Sequence, residues 1–170
     1  MSIISHANRG SGFEELIDYA NEQYAQKGWA QVQKVATPWQ VIRRGKQIVT
    51  AFPTKKSTVD YIGVANGKAI AFDAKSTRER TRFPLSNIPS HQIEFLKDWQ
   101  DQGGKAFFLI EFVKHQEVYF IEIEEMLPYW DRASNGGRKS ISYRDFEVHL
   151  PLVEQGRGVA LDYLRYLTKG

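Results

Sequence analysis

Two aspartates and a lysine, Asp60, Asp73 and Lys75, have the types and spacing that phosphodiester chemistry needs. Hard carboxylate oxygens suit Mg²⁺ or Mn²⁺, and Mg²⁺ commonly takes only one or two carboxylates, leaving its other positions to water and substrate phosphate. An ammonium beside them can stabilise charge developing on phosphorus or orient an attacking water. Asn66-Gly67 lies midway between the two aspartates and is flanked by apolar, β-prone residues, the strongest short-range signal for a hairpin with a two-residue type I′ turn. Counting outward from that turn sets Ala65 across from Lys68, Asp60 across from Asp73 and Thr58 across from Lys75.

Side chains alternate along a strand, so these four polar groups share one face at the open end of the hairpin. Ile62, Val64, Ala69 and Ala71 follow on that face toward the turn, while Tyr61, Gly63, Ile70, Phe72 and Ala74 take the other. Facing aspartates repel, at a cost of about 0.2–1 kcal/mol for like charges across a sheet, and a divalent cation offsets that repulsion best. A solvated charged strand face is the ordinary alternative, and a β-bulge would shift the register.

The 170 residues suffice for one compact domain, and 42% hydrophobic with 13% aromatic residues argues against disorder. The absence of cysteine excludes disulfides, thiolate-metal sites and a Cys nucleophile. Nothing reads as a signal peptide or a membrane-spanning run, which points to a cytoplasmic address. Residues 43–82 hold ten Lys/Arg against three acids, a net +7, and the remainder of the chain carries −4. A basic zone around an acidic pair suits a polyanionic substrate whose phosphates the cations bind. The four histidines show no metal-ligand spacing, and no phosphate loop, dinucleotide fingerprint or G-x-S-x-G elbow occurs.

Several elements must position these groups. Ser11-Gly12-Phe13-Glu14 reads as a capping box opening a helix with Phe13, Leu16, Ile17, Ala20 and Tyr24 inward, stopped at Gly28. A strand over 29–35 follows. Runs at 39–42 and 47–52 around Arg43-Arg44-Gly45-Lys46 predict a protruding, basic-tipped hairpin over about 38–53. The polar stretch 76–84 reads as a substrate-facing loop. Ser90 reads as the cap of a helix carrying Ile93, Leu96 and Trp99 inward and ending at Gly103-Gly104. Strands are expected over 106–113 and 118–123, a short helical turn over 126–130, a mobile basic loop over 135–140 and a closing helix over 159–167.

A strand-borne Asp, then an acidic residue, one spacer and Lys on the paired strand, with a Glu on a preceding helix, resembles the PD-(D/E)xK nuclease superfamily. More narrowly, Asn8-Arg9-Gly10 before Glu14, Thr37-Pro38, Ser57-Thr58-Val59-Asp60-Tyr61-Ile62-Gly63, Asp73-Ala74-Lys75, Phe83-Pro84-Leu85, His91-Gln92-Ile93-Glu94, Trp130-Asp131-Arg132 and Gly137-Arg138-Lys139-Ser140-Ile141 resemble the RecU family of Holliday junction resolvases. The likeness spans nearly the whole chain. It implies an α/β, restriction-endonuclease-like fold with a central mixed β-sheet flanked by helices and a protruding β-hairpin stalk. It further implies a homodimer that binds four-way junction DNA and makes paired Mg²⁺-dependent nicks in strands of like polarity, in recombination and repair, with a recombinase as a possible partner.

Carried over position by position, Asp60 and Asp73 would hold the metal, Lys75 would be the catalytic lysine, Thr58 a neighbouring hydroxyl and Glu14 the helix carboxylate. Gln92 falls beside the site. Arg43, Arg44 and Lys46 would enter the junction centre, and Arg78, Arg80, Arg82, Arg138 and Lys139 would contact phosphates of the arms. Phosphate contacts of this kind position DNA without reading its sequence. The family usually has Glu where this chain has Asp73, the stalk is several residues shorter, and the basic N-terminal extension of cellular members is missing, features that suit a phage or prophage member. A nuclease for other branched or duplex DNA, or a non-catalytic DNA-binding module, are the competing readings.

Overall fold

The computed structural model describes residues 11–54 and 58–167, apart from the side chain of Ser11. Asn8-Arg9-Gly10, Lys55, Lys56, Ser57 and the expected Ser11 cap therefore lie outside the described residues. Helix α1 (Ser11–Gln26) buries Phe13, Ile17, Ala20 and Tyr24, spaced three or four residues apart as one helical face requires. It stops where Gly28 adopts a φ of +70° and the Trp29 amide bonds back to the Tyr24 carbonyl at 3.0 Å.

Six strands form the central sheet in the order β1 (Ala30–Lys34), β4 (Tyr61–Ala65), β5 (Lys68–Thr77), β7 (Lys105–Phe112), β8 (Glu117–Glu122) and β10 (Leu152–Val153). All neighbours are antiparallel except β5 and β7, which run parallel through the crossover helix α2 (Ser90–Asp101). The sheet is thus mixed, as expected. Helices α2, α3 (Ile123–Ser134) and α4 (Tyr143–His149) contribute Ile93, Leu96, Met126 and Phe146 to one face, while α1 and the segment around Val159–Tyr163 cover the other. On that second face Tyr61, Phe72, Phe107 and Phe120 stack in a row across four strands, ring centroids 4.5–4.8 Å apart. The row pins the strands that carry the acidic pair.

Strands β2 (Trp39–Arg44) and β3 (Gln47–Pro53) form a separate two-stranded sheet whose residues are exposed throughout. Its tip is the Gly45-Lys46 turn, and a bulge sits beside Ile42 and Arg43. This is the expected stalk.

Several local expectations need correction. Pro89, not Ser90, occupies the N-cap of α2, since Pro pre-sets the extended conformation there and Ser90 is already helical. Residues 76–84 are not one loop. Strand β5 runs on to Thr77, and β6 (Arg82–Pro84) pairs with β9 (Ser140–Ser142), drawn in by the fully buried Phe83. Ser140 accordingly leaves the basic loop and joins a strand.

The short turn at 126–130 is the middle of the longer helix α3. A capping box between Glu122 and Glu125 starts this helix, and Pro128 is accommodated within it. No closing α-helix forms over 159–167, only a 3₁₀ turn (Tyr163–Tyr166). The leucine spacing misled because Asp162 and Tyr163 are themselves buried and bonded to Tyr24 and Asn21. Helix α4 and strand β10 carried no clear sequence signal.

Gly63 makes the pairing of β4 with β1 possible. A Cβ there would sit 2.3 Å from the Gln31 carbonyl oxygen and 2.7 Å from the Val32 Cα, both backbone atoms. Gly63→Ala is therefore expected to destabilise the fold by about 1–3 kcal/mol, read as a lower urea midpoint.

Candidate active site

The hairpin β4–β5 closes at Asn66-Gly67 with Ala65 paired to Lys68 and Tyr61 to Phe72. Positive φ at both turn residues, +51° and +78°, is the type I′ signature that Asn-Gly predicts. One step beyond the last regular pair, side chains take over the ladder. The Asp60 amide donates to Asp73 Oδ1 at 2.9 Å, and the Ala74 amide donates to Asp60 Oδ2 at 3.1 Å. Each carboxylate is thus braced by the strand that carries the other, which fixes the two acids side by side.

Lys75, two residues after Asp73 and so on the same strand face, places Nζ 2.6 Å from Asp73 Oδ2. The Gln92 side-chain amide, from the first turn of α2, donates to Asp73 Oδ1 at 3.2 Å. Asp73 is fully buried, Gln92 is 6% exposed, and the Lys75 side chain is 18% exposed. Burial first, then the neighbouring charge of Asp60, push the Asp73 carboxyl up to about 7, against the pull of the Lys75 ammonium. Asp73 Oδ2 has the Lys75 ammonium as its partner, whereas the Gln92 carbonyl oxygen is buried without a hydrogen-bond partner. Two crowded carboxylates, that of Asp73 buried and raised in pKa, beside the partnerless Gln92 carbonyl oxygen, fit a divalent cation held by hard oxygens.

The structure brings together Asp60, Asp73, Lys75 and Gln92. Thr58 is exposed and lies before the paired strand, because regular pairing stops at Tyr61 and the register no longer places Thr58 against Lys75. Glu14 pairs with Lys34, an ammonium that also feels the charge of Asp60. Its Oε2 pairs with Lys34 Nζ at 2.6 Å, with Asp18 a further 3.9 Å partner of the same ammonium, and the bond to Glu14 chiefly raises the Lys34 pKa. Among the described residues no three His, Asp or Glu side chains are grouped to hold one metal ion.

The expected DNA-contacting cations fall into three exposed groups. Arg43, Arg44 and Lys46 crown the stalk, and Arg78 and Arg80 lie between β5 and β6. Arg82, Arg138 and Lys139 line one cleft of about 400 Å³ with Pro84, Ser86 and Ser140, assembled by the β6–β9 pairing. Within that cleft the Lys139 ammonium also bonds the Ala133 carbonyl near the end of α3, and Arg138 Nε donates to Ser140 Oγ at 3.4 Å.

A support for the Arg78–Arg82 segment was not legible in the sequence. The His115 ring stacks on Tyr143 with centroids 3.9 Å apart and planes within 3°, and His115 Nε2 lies 2.8 Å from the Arg80 carbonyl oxygen. Tyr143 in turn donates its hydroxyl to Glu117 at 2.9 Å, and Tyr119 donates to the same carboxylate. His115 and Arg80 sit 35 residues apart and Tyr143 and Glu117 26 apart, so no local motif announces them. A single such bond is worth about 1 kcal/mol. His115→Ala is therefore expected to weaken junction binding about fivefold in gel-shift titrations, with the cutting rate at saturation unchanged.

The family model described as RecU, recombination protein U, matches residues 8–169. A Holliday junction resolvase RecU from Pediococcus pentosaceus is 38% identical over 170 aligned residues, covering 96% of this chain and 85% of that protein. The Holliday junction resolvase RecU of Bacillus mycoides is 36% identical over 169 aligned residues, covering 96% of this chain and 84% of its own. Among solved structures, the 1.6 Å structure of Hjc, a Holliday junction resolvase from Archaeoglobus fulgidus, aligns with a TM-score of 0.43 at 10% identity, over 78% of this chain and 92% of that one.

Proposed function

The chain belongs to the RecU family of Holliday junction resolvases, and we propose that it cuts phosphodiester bonds at the open end of the β4–β5 hairpin, through Asp60, Asp73 and Lys75. It is a junction-resolving endonuclease. The observation that carries the site assignment is the mutual bracing of the two carboxylates with the Lys75 ammonium 2.6 Å from one of them.

Asp60 and Asp73 would hold Mg²⁺, with Mn²⁺ able to substitute, through hard carboxylate oxygens. When bound, the ion supplies Lewis-acid polarisation of the phosphate and a lowered pKa for water. The protein's own groups do the rest. Lys75 aims its ammonium at the place where negative charge accumulates on a phosphate oxygen as the P–O bond breaks, and the low exposure of the site makes that charge effective. Gln92 holds Asp73 Oδ1 in place, so that Oδ2 stays directed toward Lys75 and the ion.

Two symmetric nicks need two such sites related by a two-fold axis, so the working unit in this proposal is a homodimer. Arg43, Arg44 and Lys46 on the stalk would enter the junction centre. Arg78, Arg80, Arg82, Arg138 and Lys139 would hold phosphates of the arms, positioning the scissile bonds without reading bases. A recombinase that delivers such junctions is the natural protein partner. No helix among the described residues is long and apolar enough to cross a membrane.

The test is cleavage of a four-way junction, a linear duplex and a flap by the same preparation, with Mg²⁺, with Mn²⁺ and with chelator. Paired nicks in the junction alone, dependent on the metal, are expected. Equal rates on all three substrates would instead assign a general branched or duplex nuclease.

A further inference from the structure

A cavity of about 670 Å³ opens at the turn end of β5, between the end of α1, the Asn66-Gly67 turn and the segment after Gly156. Lys68 on its rim lies five positions before Asp73, about 17 Å along the strand. Its walls include Trp29, Lys68, Lys105, Arg157 and Arg165, and among the described residues no carboxylate lines it. A nucleotide-sized space lined by four cations and an indole is complementary to a phosphate with an attached aromatic ring.

Arg157 shows that the site is built rather than incidental. It holds a φ of +50°, a conformation that costs an L-residue about 1–2 kcal/mol, in the two-residue turn closed by Gly156 and Val159. In that pose Nε and Nη2 donate to Asp162 at 2.6 and 2.7 Å, and the guanidinium lies 4.9 Å from the Trp29 ring centroid. Asp162 is 1% exposed and also accepts the Tyr24 hydroxyl at 2.8 Å. Burial alone would raise its pKa, but the bonds from Arg157 and Tyr24 and the charges of Arg157 and Arg165 hold Asp162 below the usual carboxylate value. One buried anion thus fixes Arg157 in place at the cavity wall. Three of the five guanidinium N–H donors remain for a ligand on a side chain that is 46% exposed.

We propose that this cavity binds a nucleotide unit of a DNA strand, its phosphate held by Lys68, Lys105, Arg157 and Arg165 and its base against Trp29. Lys68 lies on the sheet face of Ile70 and Phe72, opposite that of Asp73, so this contact is separate from the scissile site. The inference requires DNA as the ligand but not that Asp60 and Asp73 cut it.

The experiment follows the Trp29 indole N–H signal of the full chain by NMR, identified from its loss in Trp29→Phe, in chelator so that no cutting occurs. A twelve-nucleotide thymidine strand, thymidine monophosphate and inorganic phosphate are titrated separately. The strand is expected to move the Trp29 signal well below the concentration at which the mononucleotide does. The double variant Lys68→Glu/Arg165→Glu should abolish that shift and lower strand affinity about tenfold. A Trp29 signal unmoved by the strand, or moved equally in the double variant, would overturn the proposal. Equal potency of the monophosphate would overturn the strand as ligand. Failure of the cutting assay on any junction would leave these readings intact and count only against the nuclease site.

Discussion

Asp73→Asn is expected to abolish cutting, by on the order of 10³-fold, while junction binding in gel-shift titrations should stay within a factor of about two. The substitution keeps the size and the hydrogen-bonding shape at Oδ1, so Asp60 and Gln92 retain their partner. It removes the negative charge that the site needs for a cation. Lys75→Ala should cost a similar factor for a different reason: it leaves metal binding in place and deletes the ammonium near the scissile phosphate. If Asp60→Asn and Lys75→Ala process junctions in Mg²⁺ like the wild type, the chain is a binding module and the site assignment fails.

The same residue gives a dependence on pH. The Asp73 carboxyl is raised to about 7 by burial and by Asp60, from an unfolded value near 4. The folded state therefore binds the extra proton, and the stabilisation this provides is complete below about pH 4 and lost as pH rises through about 7. In chelator, wild-type protein should lose urea resistance relative to Asp73→Asn between those limits. Added Mg²⁺ should reverse the trend at the alkaline end, because a cation and a proton compete for the same oxygens.

Replacing Arg43, Arg44 and Lys46 together by alanine should remove the preference for junctions over duplex and leave the chemistry untouched. Each lost phosphate contact lowers the slope of log affinity against log salt by about 0.9, so three contacts per stalk account for a change of about 2.7. Measuring binding across a salt series checks this directly. A slope equal to wild type would mean that the tip does not meet phosphates.

Part of this was legible in the sequence because it is local. Asn66-Gly67 fixes its own turn geometry, and strict alternation then settles which residues face one another, so the opposition of Asp60 and Asp73 followed from counting. The stalk was legible for the same reason, two β-prone runs around one tight turn. Gln92 entered only through family resemblance, and its bond to Asp73 depends on how α2 docks, which no local pattern encodes. The pairing of Glu14 with Lys34, twenty residues away, was not legible from helix spacing. Residues 76–84 read as loop because Phe83 is one buried side chain among charged neighbours, and its partner strand lies almost sixty residues further on. The false closing helix at 159–167 shows the converse error: leucines at helical spacing outweighed a buried aspartate whose hydrogen bonds dictate a different path.

The stalk is a lone two-stranded ribbon with Trp39 60% and Val49 59% exposed and no layer packed on either side. Ribbons of that kind are marginally stable in water, so its amides should exchange with deuterium orders of magnitude faster than those of β5, through opening events that leave the main sheet intact. A probe that must enter the middle of a branched DNA would then settle into its final shape on contact, and its slowed exchange would report engagement before any strand is cut.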